Sequence, residues 1–423
     1  MKEKNTVQLN TTKKLILGLQ HTFTMFGATV LVPYLTGVPV NVALFAAGVA
    51  TLLFHLITKG KVPIFLGSSF AYIAPMIAVT LYYINEGPVQ YASIHDAINT
   101  GMDITPMLAY ATGGIILAGV VKFLFGMIVK LVGVEKIVKH FPPVVSGTTI
   151  LIIGIILSPV AIDMASSNWP IALVALIAAL IARLYFKGFF KIIPVIIGIG
   201  AGYTVALISG NVDLTGFSQA GWLALPSFYL PKFSLHAISL IVPVALAAAV
   251  ESIADVYAVS AVAGKKFYED PGIDKTLMGD GIGTILGGFV GSPAYTTYSE
   301  NTGVLAITKV YDPIVMRIAA VVAIILSFVP KVGFIISSIP TAVMGGIEIL
   351  LFGMIAAVGL KTLVDNQIKV DGKNLVIIAV MLVLSLGGAK LQLGTFTLEG
   401  IGLAVLVGLI LNLLFMYTKA SEE

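Results

Sequence analysis

Four acids sit inside apolar stretches of this sequence: Glu251, Asp255, Glu300 and Glu348. If those stretches cross a membrane, each acid costs at least ~2.5–3.5 kcal/mol at mid-depth and needs a use. Glu251 and Asp255 lie in VALAAAVESIADVYAVSAV, four residues apart and so on one helix face. No Lys or Arg is near them in sequence. Two carboxylates this close in a dry setting cannot both ionise cheaply, which makes the pair a natural proton carrier. The competing reading is a structural pair satisfied by Ser and Thr hydroxyls on neighbouring helices. Glu300 ends the polar run Thr296, Thr297, Tyr298, Ser299, which can hydrogen-bond it but not neutralise it, and Asn301 adds an amide. The apolar residues that follow argue against a solvent-exposed loop. Glu348, in MGGIEILLFG, could face a cavity, a partner copy or a helix neighbour. Lys122 is expected to snorkel towards the cytoplasmic end of its span. His21 and His55 are expected to serve helix–helix hydrogen bonds. No metal-spaced cluster, phosphate-binding loop or nucleophile elbow is present, and there is no cysteine. No catalytic residue, metal or cofactor is therefore expected, and the chain reads as something other than an enzyme.

The elements that position these acids are long apolar runs. The composition is 58% hydrophobic and only 11% charged, against roughly 25% charged in soluble domains. That excludes a soluble enzyme, a disordered chain and a nucleic-acid binder. The runs are continuously apolar, unlike the alternating strands of an outer-membrane barrel. They fall near 15–35, 42–57, 64–82, 107–129, 144–160, 171–185 and 192–208, then 235–262, 276–290, 295–310, 314–329, 342–360, 375–386 and 401–416, about fourteen spans at roughly 20 residues each. Basic residues cluster in links of one parity, beginning with Lys2, Lys4, Lys13 and Lys14 and ending with Lys419. The long loop 83–103 of the opposite parity has no Lys or Arg. Both termini are thus expected in the cytoplasm.

Two echoes point to internal repetition. Gly-Ser-Ser-Phe-Ala-Tyr at 67–72 answers Gly-Ser-Pro-Ala-Tyr at 291–295, and FPPVVSGTTILIIG answers IPTAVMGGIEILLFG. Seven spans in each half make the second half inverted relative to the first. The first echo opens the third and tenth spans, which are short and interrupted by Gly and Pro. Broken spans leave backbone groups unpaired at membrane depth, which is tolerated where they line a cavity or bind a ligand.

The run ENTGVLAITK (300–309) matches the signature of the nucleobase–ascorbate transporter family, and QHTFTMFGATVLVPYLTG, KGKVPIFLGSSFAYIAP and the stretch 269–311 resemble its uracil-transporting members. The resemblance covers most of the chain. It implies an all-α polytopic membrane protein of fourteen spans in two inverted repeats of seven, with short strands in the broken third and tenth spans. The expected divisions are a cytoplasmic tail 1–14, a first repeat 15–210, a linker 211–233, a second repeat 234–417 and a tail 418–423. A core domain would comprise about 15–130 and 234–332, and a gate domain about 140–210 and 339–417. It further implies a proton-coupled symporter in the cytoplasmic (inner) membrane, working by alternating access, usually as a homodimer. The expected substrate is uracil, with xanthine or another purine, or sodium coupling, as the alternative and an anion carrier of the same fold as a distant one. By position, Glu251 and Glu300 would bind the base, Ser69 and Phe70 would contact it from one strand, and Tyr298 and Ser299 would lie on the facing strand. Glu251, Asp255 and Glu300 would handle the proton. Uracil-transporting members carry His where this chain has Asp255, while purine-transporting ones usually carry Gln where it has Glu300. The sequence is uracil-like at the tenth span and purine-like at the eighth.

Overall fold

In the computed structural model the described residues are 10–134, 136, 142–393 and 396–417, with the side chains of Phe26, Ala28, Ser299, Leu393, Phe396 and Tyr417 outside the description. Most of the tails at 1–14 and 418–423 therefore lies outside the described residues. Apolar runs become helices because a helix satisfies its backbone within the segment. In chain order they are α1 (Thr11–Thr36), α2 (Val40–Ile57), β1 (Leu66–Ser68), α3 (Ile73–Ile84), α4 (Ile94–Asn99), α5 (Thr105–Val132), α6 (Pro143–Ile156), α7 (Ser158–Ser166), α8 (Trp169–Tyr185) and α9 (Pro194–Ile208). The second half has α10 (Leu235–Ile241), α11 (Val244–Ala263), α12 (Ile273–Val290), β2 (Tyr295–Thr297), α13 (Ser299–Thr308), α14 (Pro313–Ser327), α15 (Pro330–Ser337), α16 (Thr341–Asp365), α17 (Gly372–Leu386), β3 (Lys390–Leu393), β4 (Phe396–Glu399) and α18 (Gly400–Tyr417). Prolines open α6, α7, α8, α9, α14 and α15, where their missing N–H costs nothing.

Six helical stretches among the described residues are long and apolar enough to cross a membrane, α6 with α7 and α10 with α11 each making one of them; α14 and α15 form a further span bent by 86°, and five shorter apolar helices accompany them. Two expected spans run through as continuous helical stretches with a local irregularity. In the run 235–262 it lies between α10 and α11 at Pro243, which has no N–H to donate but keeps helical dihedrals. In the run 144–160 it lies at Leu157, just before Pro159. In the link 387–400 β3 pairs antiparallel with β4, with Lys390 opposite Glu399.

The helices pack in two groups. α1, α2, α3, α5 and α10 to α14 surround the β1–β2 pair, while α6 to α9 and α16 to α18 form the other group. The groups meet where α11 touches α6 and α18 and where α1 touches α9. In the first group α5 and α12 approach on glycines: Gly119 and Gly281 face each other, Gly126 lies against the backbone at Asp274 and Gly288 against the backbone at Thr112. A Cβ on Gly281 would lie 2.6 Å from the backbone N of Phe123. Gly281→Ala must push the helices apart, and overpacking of this kind costs about 1–3 kcal/mol. The expected result is a lower thermal midpoint of the detergent-solubilised protein by size-exclusion loss; an unchanged midpoint would mean the two helices can shift freely.

Candidate functional site

β1 and β2 pair antiparallel, with Leu66 opposite Thr297, Gly67 opposite Thr296 and Ser68 opposite Tyr295. The Ser69 N–H donates to the Ala294 carbonyl at 2.9 Å. Strands this short leave backbone groups over, and hydroxyls of the surrounding helices take them. Thr51 Oγ1 accepts the Leu66 N–H at 3.0 Å, and the Thr284 hydroxyl donates to the Tyr295 carbonyl at 2.7 Å. The Tyr295 hydroxyl donates to the Ala43 carbonyl at 2.7 Å, locking β2 to α2. Gly67 is needed for contact: a Cβ there would come within 2.6 Å of the Tyr298 ring. Each strand feeds a helix, β1 through the tight turn Phe70–Tyr72 into α3, and β2 through Tyr298 into α13. Two helix N-termini, with their unsatisfied N–H groups, therefore start at the crossing.

α11 runs beside this crossing, touching the Phe70–Tyr72 turn, β2 and α13. The Lys122 ammonium reaches in from α5. It pairs with Asp280 Oδ2 at 3.0 Å and donates to Thr296 Oγ1 at 3.0 Å, and neither Lys122 nor Asp280 is more than 1% exposed. The Ser252 hydroxyl bonds Asp280 Oδ2 at 2.6 Å and lies 2.8 Å from Thr296 Oγ1. Glu251, next to Ser252 and half-buried, is within electrostatic reach of Lys122, Glu300 and Asp280. Lys122 thus does not snorkel: the close α5–α12 approach holds it against Asp280, and it supplies the cation that the local sequence around Glu251 lacks. Asp280 escaped the sequence reading; its signal was an acid within the glycine-rich run MGDGIGTILGG.

Asp255 is buried one turn along α11 and accepts a hydrogen bond from the Thr297 hydroxyl at 2.9 Å. The two acids of α11 therefore have different company, Glu251 with Lys122 and Asp255 with a threonine hydroxyl and the nearby Glu300. Glu300 occupies the first turn of α13 with its side chain exposed. Phe70 is half-buried on the turn after β1, and Ser69 and Tyr298 are buried. The Ser299 side chain lies outside the described residues. Around the crossing the buried Ser69 Oγ, Tyr72 hydroxyl, Asp280 Oδ1 and Asn301 Oδ1 have no partner among the described residues. Such a concentration of unmatched polar atoms marks a place for water or a polar ligand.

Small residues lead away from the acids. Ala254, Ala258 and Ala261 on α11, and Gly303 and Ala306 on α13, are exposed, and both rows run towards the C-terminal ends of their helices. Exposed surface continues from the acids on that side. A separate cavity of about 200 Å³, lined by Ala74, Pro75, Leu240, Val244, Glu399 and Ile401, holds none of the four acids singled out by sequence. His55 accepts from Arg317 Nε at 3.4 Å and meets the Ile64 carbonyl at 2.9 Å, so it ties helices and strand together; His21 is buried.

Residues 12–394 match the model of a family described as the Permease family. A probable uracil permease of Haemophilus influenzae is 41% identical over 421 residues, covering 97% of this chain and 96% of its own. The uracil permease of Bacillus subtilis is 39% identical over 426 residues, covering 96% and 93%. Among solved structures, the transmembrane domain of a cyanobacterium bicarbonate transporter superposes with a TM-score of 0.66 over 97% of this chain and 98% of that one, at 17% identity. At that identity the likeness is one of fold.

Proposed function

Since this chain belongs to the nucleobase–ascorbate transporter family and is a multi-pass membrane transporter, we propose that it imports uracil across the cytoplasmic membrane together with a proton. The observation that carries the reading is the crossing itself: carboxylates of two different helices, Glu251 and Glu300, come within electrostatic reach of each other beside two helix N-termini. Uracil has two N–H donors and two carbonyl acceptors on a flat apolar ring. The carboxylates accept the N–H groups, strand and helix N–H groups serve the carbonyls, and the Phe70 ring covers a face. The Ser69 hydroxyl, unpartnered among the described residues, is left to meet a polar atom of the base, and the buried Tyr298 borders the site from the facing strand. The fourteen spans form two inverted repeats, the first helix group is the core and the second the gate, and the protein works as a homodimer with both termini in the cytoplasm. The C-terminal ends of α11 and α13 then face the cytoplasm, and the exposed surface that continues from the acids faces inwards. A neutral base cannot be accumulated by voltage alone. One proton crossing 100 mV brings about 2.3 kcal/mol, enough for a gradient of roughly fifty-fold.

The test is labelled uracil uptake into vesicles under a pH gradient, competed by thymine, xanthine, hypoxanthine and urate. Accumulation that collapses with an uncoupler supports the reading; uptake driven by sodium alone, or competed better by xanthine, points to the alternative. Glu300→Gln replaces a charged acceptor by an amide whose NH₂ opposes the ring N–H. Loss of a charge-assisted bond costs about 1.5–3 kcal/mol, so uracil affinity should fall by one to two decades. Wild-type affinity in a ligand-induced stability shift would remove Glu300 from the site.

A further inference from the structure

Glu348 takes no part in the site described above. It lies on α16, seven residues or about 10 Å in from Thr341. Its side chain is fully buried, and neither carboxylate oxygen has a hydrogen-bond partner among the described residues. α16 packs against α6, α7, α8 and α9. α6 has no titratable side chain. Asp163 on α7 and Arg183 and Tyr185 on α8 are exposed, as are Lys361 and Asp365 at the far end of α16 itself. Tyr203 on α9 is engaged with Ser338 at 2.7 Å. From the other helix group comes Tyr34 of α1, which is within electrostatic reach of Glu348. Its hydroxyl lies 3.3 Å from Thr341 Oγ1 and 3.5 Å from the Ile339 carbonyl, and the His95 ring stands behind it at 5.0 Å. Tyr34 thus closes a seam between the two groups, and Glu348 is sealed just beneath it. An ionised carboxylate with no partner is costly in such a place, while one that meets water is not. Opening the seam and ionising Glu348 therefore favour one another.

We propose that Glu348 is a second proton-binding site of this transporter, set at the Tyr34 seam and separate from the strand crossing. The inference rests on the import reading, in which the N-terminal end of α16 faces outwards. A proton from the outer solution binds the Glu348 carboxylate while the seam is open, and the seam then closes over the neutral acid. The proton returns to the same side when the seam reopens. The site thus makes outward closure favoured by outer acidity without adding a proton to the stoichiometry of transport.

The experiment uses the full chain in proteoliposomes and reads two quantities. One is the initial rate of uracil counterflow, at fixed inner pH, with the outer pH at 6 and at 8. The other is the steady-state accumulation ratio under a pH gradient. A single required protonation changes a rate by up to about tenfold per pH unit, so in Glu348→Gln the wild-type rate ratio between the two outer pH values should fall by about threefold or more. Glu348→Asp keeps an acid and should keep the ratio. The accumulation ratio should stay at the wild-type value in both. An undiminished counterflow ratio in Glu348→Gln, or a flat one in the wild type, overturns the proposal; a lowered accumulation ratio shows that Glu348 carries the coupled proton instead and overturns its one-sided exchange. Failure of the import reading is seen separately, as absence of gradient-driven accumulation in the wild type. Glu348→Leu, suited to the apolar surroundings, serves if Glu348→Gln does not fold. The infrared carbonyl band of a protonated carboxylic acid, present in the wild type and missing from either variant, checks the protonation without transport.

Discussion

Lys122→Met is expected to destabilise the protein by about 3–5 kcal/mol, the usual result of leaving one member of a buried ion pair alone. Asp280 has no exposure, and its partners other than Lys122 are the Ser252 hydroxyl and, at 3.4 Å, the Thr297 N–H. These donors do not neutralise a charge. The same ammonium also offsets Glu251 and holds Thr296 of β2, so the damage should reach the strand crossing. Thermal unfolding in detergent should show a large loss of monodisperse protein. The double variant Lys122→Met with Asp280→Asn removes both charges and keeps an acceptor for Ser252, so most of the stability should return. Uracil binding should not return, because Glu251 still lacks its cation. A stable single variant with wild-type binding would show that the pair matters little.

The sequence located the helices because apolar length is a local property, and it found the broken third and tenth spans because Gly67, Gly291 and Pro293 interrupt otherwise apolar runs. The pairing of Leu66 with Thr297 was visible only as an echo and a resemblance, since neither three-residue segment has strand character of its own. Lys122 was misread for a related reason. Snorkelling is the cheapest choice for a lone lysine, and its partner sits on another helix brought close by glycines whose spacing carries no charge information. Asp280 lies within the run read as the span 276–290, but the five glycines of MGDGIGTILGG give no sign of the lysine on another helix that pairs with it. The irregularity before α11 comes from Pro243, within a run that the continuous hydropathy correctly reads as one span. The pair Glu251 and Asp255 was correctly placed on one helix, but the spacing could not show that neighbouring elements give the two acids different partners.

That difference governs the expected division of labour on α11. Glu251 stands next to the ion pair and within electrostatic reach of Glu300, and under the proposed import it accepts a ring N–H. Asp255 is buried under the Thr297 hydroxyl and within reach of Glu300, and under the same proposal it takes up a proton when the base arrives. Coupled carboxylates share protons over a pH window, and a base donating N–H to Glu251 favours its ionised form. The displaced proton then moves to Asp255 or leaves. Asp255→Asn keeps the size and can still accept from Thr297. It should keep uracil affinity within about tenfold, equivalent to ~1.4 kcal/mol. It should lose most pH-driven accumulation while retaining exchange of internal for external uracil. Glu251→Gln should lose binding and exchange together, because it removes the acceptor itself. The deciding measurement sets proton-driven uptake beside counterflow in the same vesicles. Full accumulation by Asp255→Asn would take this residue out of the coupling and leave Glu251, Glu300 or a sodium ion to drive transport.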